Sequence, residues 1–164
     1  MTHQTLPPGP SLPTTSHEEA TSRTLIHALI HRYASLARET TDASLTTPLF
    51  EASGTINLPD GRSFAPGHIN DIAAQSSGGA PKLLRHNVTT VDIQFVSPEE
   101  AHCQTYIIAC TDVKMPDHWG RWDDVVRRQE DGRWLFKEKN ILVDGMDPEG
   151  WLFQSLGSLG GSLA

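Results

Sequence analysis

The sequence predicts an α+β fold, a cone-shaped barrel in which a strongly curved antiparallel sheet wraps a long N-terminal helix. Three observations predict it. Apolar residues recur at helical spacing between Leu25 and Ala37. Four strand-like runs then follow one another from Leu84 to Gly145. Turn signals at Ser97-Pro98-Glu99, Met115-Pro116-Asp117 and Asp131-Gly132 separate those runs.

Residues 1–15 are rich in Pro, Thr and Ser and are expected to form a disordered tail. The domain is expected over 16–147, with 148–164 as a C-terminal tail or lid. Ser16-His17-Glu18-Glu19 has the pattern of a capping box, and Leu25, Ile26, Leu29, Ile30, Tyr33, Leu36 and Ala37 share the helix face behind it. Asp42 suits the cap of a short second helix ending near Phe50. Asp60-Gly61 between SGTINLP and RSFAPG signals a hairpin, and His68 to Ala74 a third helix. In the first long run, Leu84, His86 and Val88 have one parity and Val91, Ile93 and Phe95 the other. A bulge at Thr89-Thr90 would bring all six to one face and add curvature. On the second run, Thr105, Ile107, Ala109, Thr111 and Val113 share a face. On the third, Trp119, Arg121, Asp123 and Val125 share parity.

Composition narrows the function. The 164 residues are 37% hydrophobic and carry a formal charge of −7, with Lys and Arg scattered. That balance argues against nucleic acid or an anionic membrane as a partner. No apolar run approaches the roughly 20 residues of a spanning helix, and the N-terminus lacks a charged-then-apolar signal pattern. Cys103 and Cys110 lie roughly 23 Å apart along one predicted strand and cannot bridge each other. A cytoplasmic location is therefore expected. No Gly-rich phosphate loop or nucleophile elbow is present. His27 and His31 have a zinc-compatible spacing without an HExxH glutamate or a third ligand, so no metal is expected.

The ordered set RYA, LPDG, RHNV, AHCQTY, GRWDD and DGRWLF resembles the SnoaL-like group of the nuclear transport factor 2-like superfamily, nearest to its scytalone dehydratase and bile-acid dehydratase types. The resemblance spans about residues 20–147. It implies lyase, isomerase or cyclase chemistry without cofactor or metal, in a hydrophobic pocket. It makes His86, in the RH pair, the catalytic base. An imidazole there can take and return a proton near neutral pH. It places Tyr33 at the pocket, and counting back from Asp42 puts Glu39 where a carboxylate orients the histidine. The dehydratases' second histidine would fall near Thr111, and their polar residues of the third strand at Arg121 and Asp123.

Catalysis is thus expected from His86, Glu39, Tyr33 and Asp123. Substrate contacts are expected from Arg121, Phe50, Val88, Ile107, Thr111 and Trp119. The expected substrate is a hydrophobic, oxygenated small molecule of polyketide or terpenoid type, handled by a homo-oligomer (dimer or trimer). The alternative is a non-catalytic binding or assembly module of the same fold.

Overall fold

Ser16 begins the first helix as its sequence suggests. Its Oγ accepts from the Glu19 amide at 3.1 Å, capping α1 (His17–Leu36). The second half of the capping box does not form, because the Glu19 carboxylate instead pairs with Arg23 one turn on. Ile26, Leu29, Ile30, Tyr33 and Ala34 are buried along one face, and Leu25 lies just outside it. The computed structural model describes residues 16–74 and 79–157. The expected tail over 1–15 and the chain end over 158–164 lie outside the described residues.

Asp42 caps α2 (Ala43–Thr46), accepting from the Ser44 amide at 2.8 Å. A 3-10 turn, Thr47–Leu49, leads into β1 (Phe50–Asn57), which turns through Gly61 into β2 (Ser63–Phe64). Gly61 has φ 86°, the left-handed conformation such a turn requires and glycine adopts without strain. A second 3-10 turn and α3 (Ile69–Ala74) precede the meander. Its strands are β3 (Leu84–Ser97), β4 (Glu100–Thr111), β5 (His118–Arg128) and β6 (Trp134–Met146), and α4 (Trp151–Gly157) closes the described chain. No described helix is long and apolar enough to cross a membrane.

The sheet order is β2-β1-β6-β5-β4-β3. The meander is antiparallel throughout, but β1 joins β6 in parallel, so the sheet is mixed rather than antiparallel. The reason is topological. β1 precedes the meander and meets its last strand, whose direction is already fixed by three reversals. The predicted bulge is present: Val88 pairs with Ile107 and Thr90 with Tyr106, leaving Thr89 unpaired between them. Leu84, His86, Val88, Val91, Ile93 and Phe95 accordingly are all at least half-buried, while Arg85, Asn87, Thr89, Thr90, Asp92 and Val96 are exposed.

Cross-strand register lays the inner face out in rows. Ile93, Cys103, Asp124 and Lys139 form one; Val91, Thr105, Trp122 and Ile141 the next; Val88, Ile107, Gly120 and Val143 the third. The last contains His86, Ala109, His118 and Met146. α1 lies over these rows, and Tyr33 meets Phe50, Trp122 and Phe136 edge-on at ring separations of 6.0, 5.3 and 5.7 Å.

At Gly120 the backbone of β6 lies close against β5. A Cβ built there would lie 2.1 Å from the Leu142 carbonyl oxygen and 3.0 Å from the Val143 Cα, both backbone atoms that cannot swing aside. Gly120→Ala should therefore destabilise the fold by about 1–3 kcal/mol, the usual cost of overpacking. A urea midpoint equal to that of the wild type would contradict this reading.

Candidate active site

The site is built on the row that holds two imidazoles. His86 near the start of β3 and His118 at the start of β5 flank Ala109 of β4, the strand between them. Their ring centroids are 6.1 Å apart. Alanine is what allows this meeting, because a larger residue at 109 would fill the space between the rings. Trp122, four residues along β5 and on the same face, packs 5.5 Å from the His86 ring.

Each ring is held by its Nδ1. His86 Nδ1 lies 3.0 Å from the Ala37 carbonyl oxygen at the end of α1. A carbonyl only accepts, so this nitrogen carries the proton and Nε2 keeps its lone pair. His118 Nδ1 lies 2.8 Å from Asp117 Oδ1, and Asp117 is fully buried. Among the described residues, neither Nε2 has a hydrogen-bond partner.

Asp117 accepts four hydrogen bonds among the described residues, one of them from His118. Its Oδ2 accepts from Thr111 Oγ1 at 3.0 Å and from the Trp151 amide at 2.5 Å, and its Oδ1 accepts from the Leu152 amide at 3.2 Å. Burial alone would raise its pKa, but the bonds from His118, Leu152, Trp151 and Thr111 outweigh burial and hold it below the ordinary range. Asp117 therefore stays ionised, and His118 Nδ1 must be the donor. Gly150 makes room for this arrangement, since a Cβ there would fall 2.9 Å from Asp117 Oδ2. The same carboxylate thus fixes the His118 ring and anchors the start of α4. Trp151 then rests 6.5 Å from the His118 ring and donates from Nε1 to the Gly79 carbonyl at 2.9 Å.

The two imidazoles differ electrically. Burial lowers the pKa of both. For His118, the hydrogen bond and charge of Asp117 oppose that effect. For His86, the neighbouring His118 and the Lys139 ammonium add to it, and only the Ala37 carbonyl opposes, leaving it at about 4. Both rings are neutral at pH 7, and His118 is the one equipped to hold a proton transiently.

Several residues expected at the site are placed elsewhere. Glu39 does not touch His86: its Oε2 accepts from the Leu84 amide at 3.0 Å and Arg85 Nη1 at 2.6 Å, tying the end of α1 to β3. Those bonds, the Leu84 amide first, hold its carboxyl down at about 2. Asp123, Arg121 and Trp119 lie on the outer face, because the parity that buries His118, Trp122 and Asp124 sends them outward. There Arg121 pairs with Asp144 and, at 3.4 Å, with Asp123. Tyr33 and Phe50 belong to the packed aromatic core. Thr111 faces inward but is fully buried, and its hydroxyl supports Asp117. Val88 and Ile107 do face the interior beside the histidine row. Two surface hollows, one by the start of α1 and one on the outer sheet face, include neither histidine. Among the described residues, no three His, Cys, Asp or Glu side chains group as a metal site.

His118 and Asp117 were hidden from sequence reasoning by the strand on which they arrive. A second histidine sought along β4 leads to Thr111. The imidazole that occupies this end of the sheet comes instead from β5, opposite Ala109. The available signal was the alternation His118-Gly120-Trp122-Asp124-Val126, which marks an inner face as well as its complement does.

The family model of the SnoaL-like domain matches residues 18–140, three quarters of the chain and every element from α1 into β6. The chain belongs to the SnoaL-like family. Solved structures with the same fold include a scytalone dehydratase-like protein from Novosphingobium aromaticivorans, with TM-score 0.65, 18% identity, and coverage of 81% of this chain and 91% of that one. A hexachlorocyclohexane dehydrochlorinase, LinA-type3, from Novosphingobium barchaimii matches with TM-score 0.67 at 12% identity, covering 79% and 91%. A protein of unknown function with a cystatin-like fold from Nostoc punctiforme matches with TM-score 0.64 at 20% identity, covering 81% and 96%. At these identities the likeness is one of fold. No curated protein matches the chain. Within this SnoaL-like domain, the His86 ring is oriented by a backbone carbonyl, and the carboxylate-held imidazole is His118.

Two predictions follow from these placements. Asp117→Asn removes the charge that favours protonated His118, so the His118 imidazole pKa should fall further in an NMR titration; an unchanged or higher value would contradict the assignment. Glu39 has a folded-state pKa depressed from 4.5 to about 2, so it stabilises the fold above pH 4.5 and loses that effect as pH falls towards 2. The stability deficit of Glu39→Gln, measured by urea unfolding, should therefore shrink across that interval, whereas a deficit independent of pH would count against the pairing.

Proposed function

We propose that this domain is a cofactor-independent acid–base enzyme, a lyase or isomerase acting on a hydrophobic, oxygenated small molecule. The observation that carries the proposal is His118, held by ionised Asp117 in a buried setting and facing the second imidazole of His86 across Ala109. A carboxylate-oriented histidine is a recurrent general base, and two titratable groups with opposite surroundings suit divided roles.

In the proposed reaction, His118 Nε2 removes a proton from a carbon next to a carbonyl, and Asp117 stabilises the imidazolium so formed. The electron pair released forms a carbon–carbon double bond. In a dehydration, the neighbouring C–O bond breaks and the departing hydroxide receives the proton from His118, yielding water and restoring the neutral ring. In an isomerisation, the proton returns to a different carbon. His86, with its lone pair on Nε2, accepts a hydrogen bond from a substrate hydroxyl and orients it. Val88, Ile107, Trp122 and Trp151 supply apolar and aromatic surroundings that suit a polyketide- or terpenoid-like skeleton. The structural neighbours named as a dehydrochlorinase and as scytalone dehydratase-like support the reading by fold. A cytoplasmic setting fits the free thiols of Cys103 and Cys110. Tyr106, Ile108 and Trp119, exposed together on the outer sheet face, suit self-association into a homo-oligomer.

The test is proton exchange and turnover on a panel of fused-ring ketones and β-hydroxy ketones, followed by NMR in deuterated water. The wild type should exchange the α-protons or release water, and His118→Ala should lower that rate by about 10²–10⁴-fold. His86→Ala should raise KM as well as lower kcat. Binding of these compounds without exchange or turnover in the wild type would instead favour a non-catalytic ligand-binding module.

A further inference from the structure

A buried ion pair lies deeper in the cone, beyond Trp122. Lys139 Nζ donates to Asp124 Oδ2 at 2.8 Å, and neither side chain has any exposed surface. The ammonium is walled by three rings, at 4.0 Å from the centroid of Trp122, 4.2 Å from Tyr33 and 4.5 Å from Phe136. Asp124 Oδ1 and the nearby Thr105 Oγ1 are buried without a partner. Such a pair is an inefficient way to stabilise a core, since well-packed apolar residues commonly do as well or better. Its position gives it an electrical role. One indole separates the ammonium from the His86 ring: Trp122 touches Lys139 on one side and packs 5.5 Å from His86 on the other. Trp122 and Lys139 are both buried, so the charge is weakly screened along that path.

We propose that Lys139, clamped by Asp124, is a positioning residue for the histidine pair, directing the single proton the two rings can hold onto His118 by keeping His86 neutral. Two imidazoles this close cannot readily be charged together. Asp117 favours charge on His118, and Lys139 disfavours charge on His86. The surroundings of His86 leave Lys139 as the cation responsible. From α1 come neutral Tyr33 and, at the helix end, Glu39 with its charge matched by Arg85. β4 contributes Ala109 and the buried thiol of Cys103, whose pKa burial raises. β5 contributes His118 with Asp117, and Asp124, which is engaged by Lys139. α4 contributes the neutral ring of Trp151. The direction of the His86 shift, to which Lys139 adds, agrees.

This inference rests on the acid–base reading for its purpose, but its test needs no substrate. The imidazoles of His86 and His118 are titrated by NMR in the full chain, as wild type and as the Lys139→Met, Asp124→Asn double variant. That variant removes both charges together, so neither is left buried without its counter-ion. The His86 pKa should rise by about half a unit or more while that of His118 moves less, narrowing the gap between them. Titrations that superimpose on the wild type, or a fall at His86, overturn the proposal. Should the double variant not fold, the wild type provides the second measurement. The Lys139 Cε resonance must then inflect at the pH where His86 titrates, and a flat trace there overturns the coupling. Failure of either readout leaves the proposed reaction standing. A rate unchanged in His118→Ala would remove the reaction and leave the coupling intact.

Discussion

Two imidazoles separated by one alanine on the inner face of a sheet compete for one proton, and the rest of this structure decides where it goes. The decision is made by fixed neighbours. Asp117 is buried, ionised and bonded from four directions, so it cannot turn away from His118. The Ala37 carbonyl holds His86 in one tautomer without offering a countercharge. A backbone dipole orients as well as a carboxylate but stabilises an imidazolium less, which is why the two histidines are not equivalent.

The architecture supplies these neighbours in a specific way. The meander places β3, β4 and β5 side by side, and the turn between β4 and β5 delivers Asp117 and His118 as consecutive residues opposite Ala109. The Thr89 bulge lets one strand carry both the histidine row and the core positions Val91 and Ile93 on the same face. Gly120 lets β5 and β6 close tightly behind them. Asp117 also couples this row to the first residues of α4, so the described C-terminal helix is secured by the carboxylate that orients His118. The core beneath, from Tyr33 to Phe136, is aromatic and packed.

Most of the fold was legible in the sequence because it depends on local signals. The Ser16 cap, the Asp42 cap, the Asp60-Gly61 turn and the Thr89 bulge each follow from residue type and spacing. The parallel docking of β1 on β6 was not legible, since no local pattern encodes which strand meets the edge of a meander. The site was legible only in part. His86 could be found from its place in the RH pair, yet its partner could not be found by counting along α1. The group that orients it is a main-chain carbonyl, which any residue at position 37 would provide. Asp117 and His118 were overlooked because the turn bringing them to the row is set by pairing between β4 and β5. Arg121 and Asp123 show the converse limit: alternation reveals two faces of β5, and only the packing of Trp122 against Tyr33 of α1 settles which one is inside.

The most direct test of the central claim is neutron diffraction from deuterated crystals equilibrated at successively lower pH, read at the first pH where one of the two rings gains a second deuteron. Deuterons on both ring nitrogens of His118, with His86 deuterated at Nδ1 alone, is the result this account predicts. Deuterons on both nitrogens of His86 and one on His118 would contradict it.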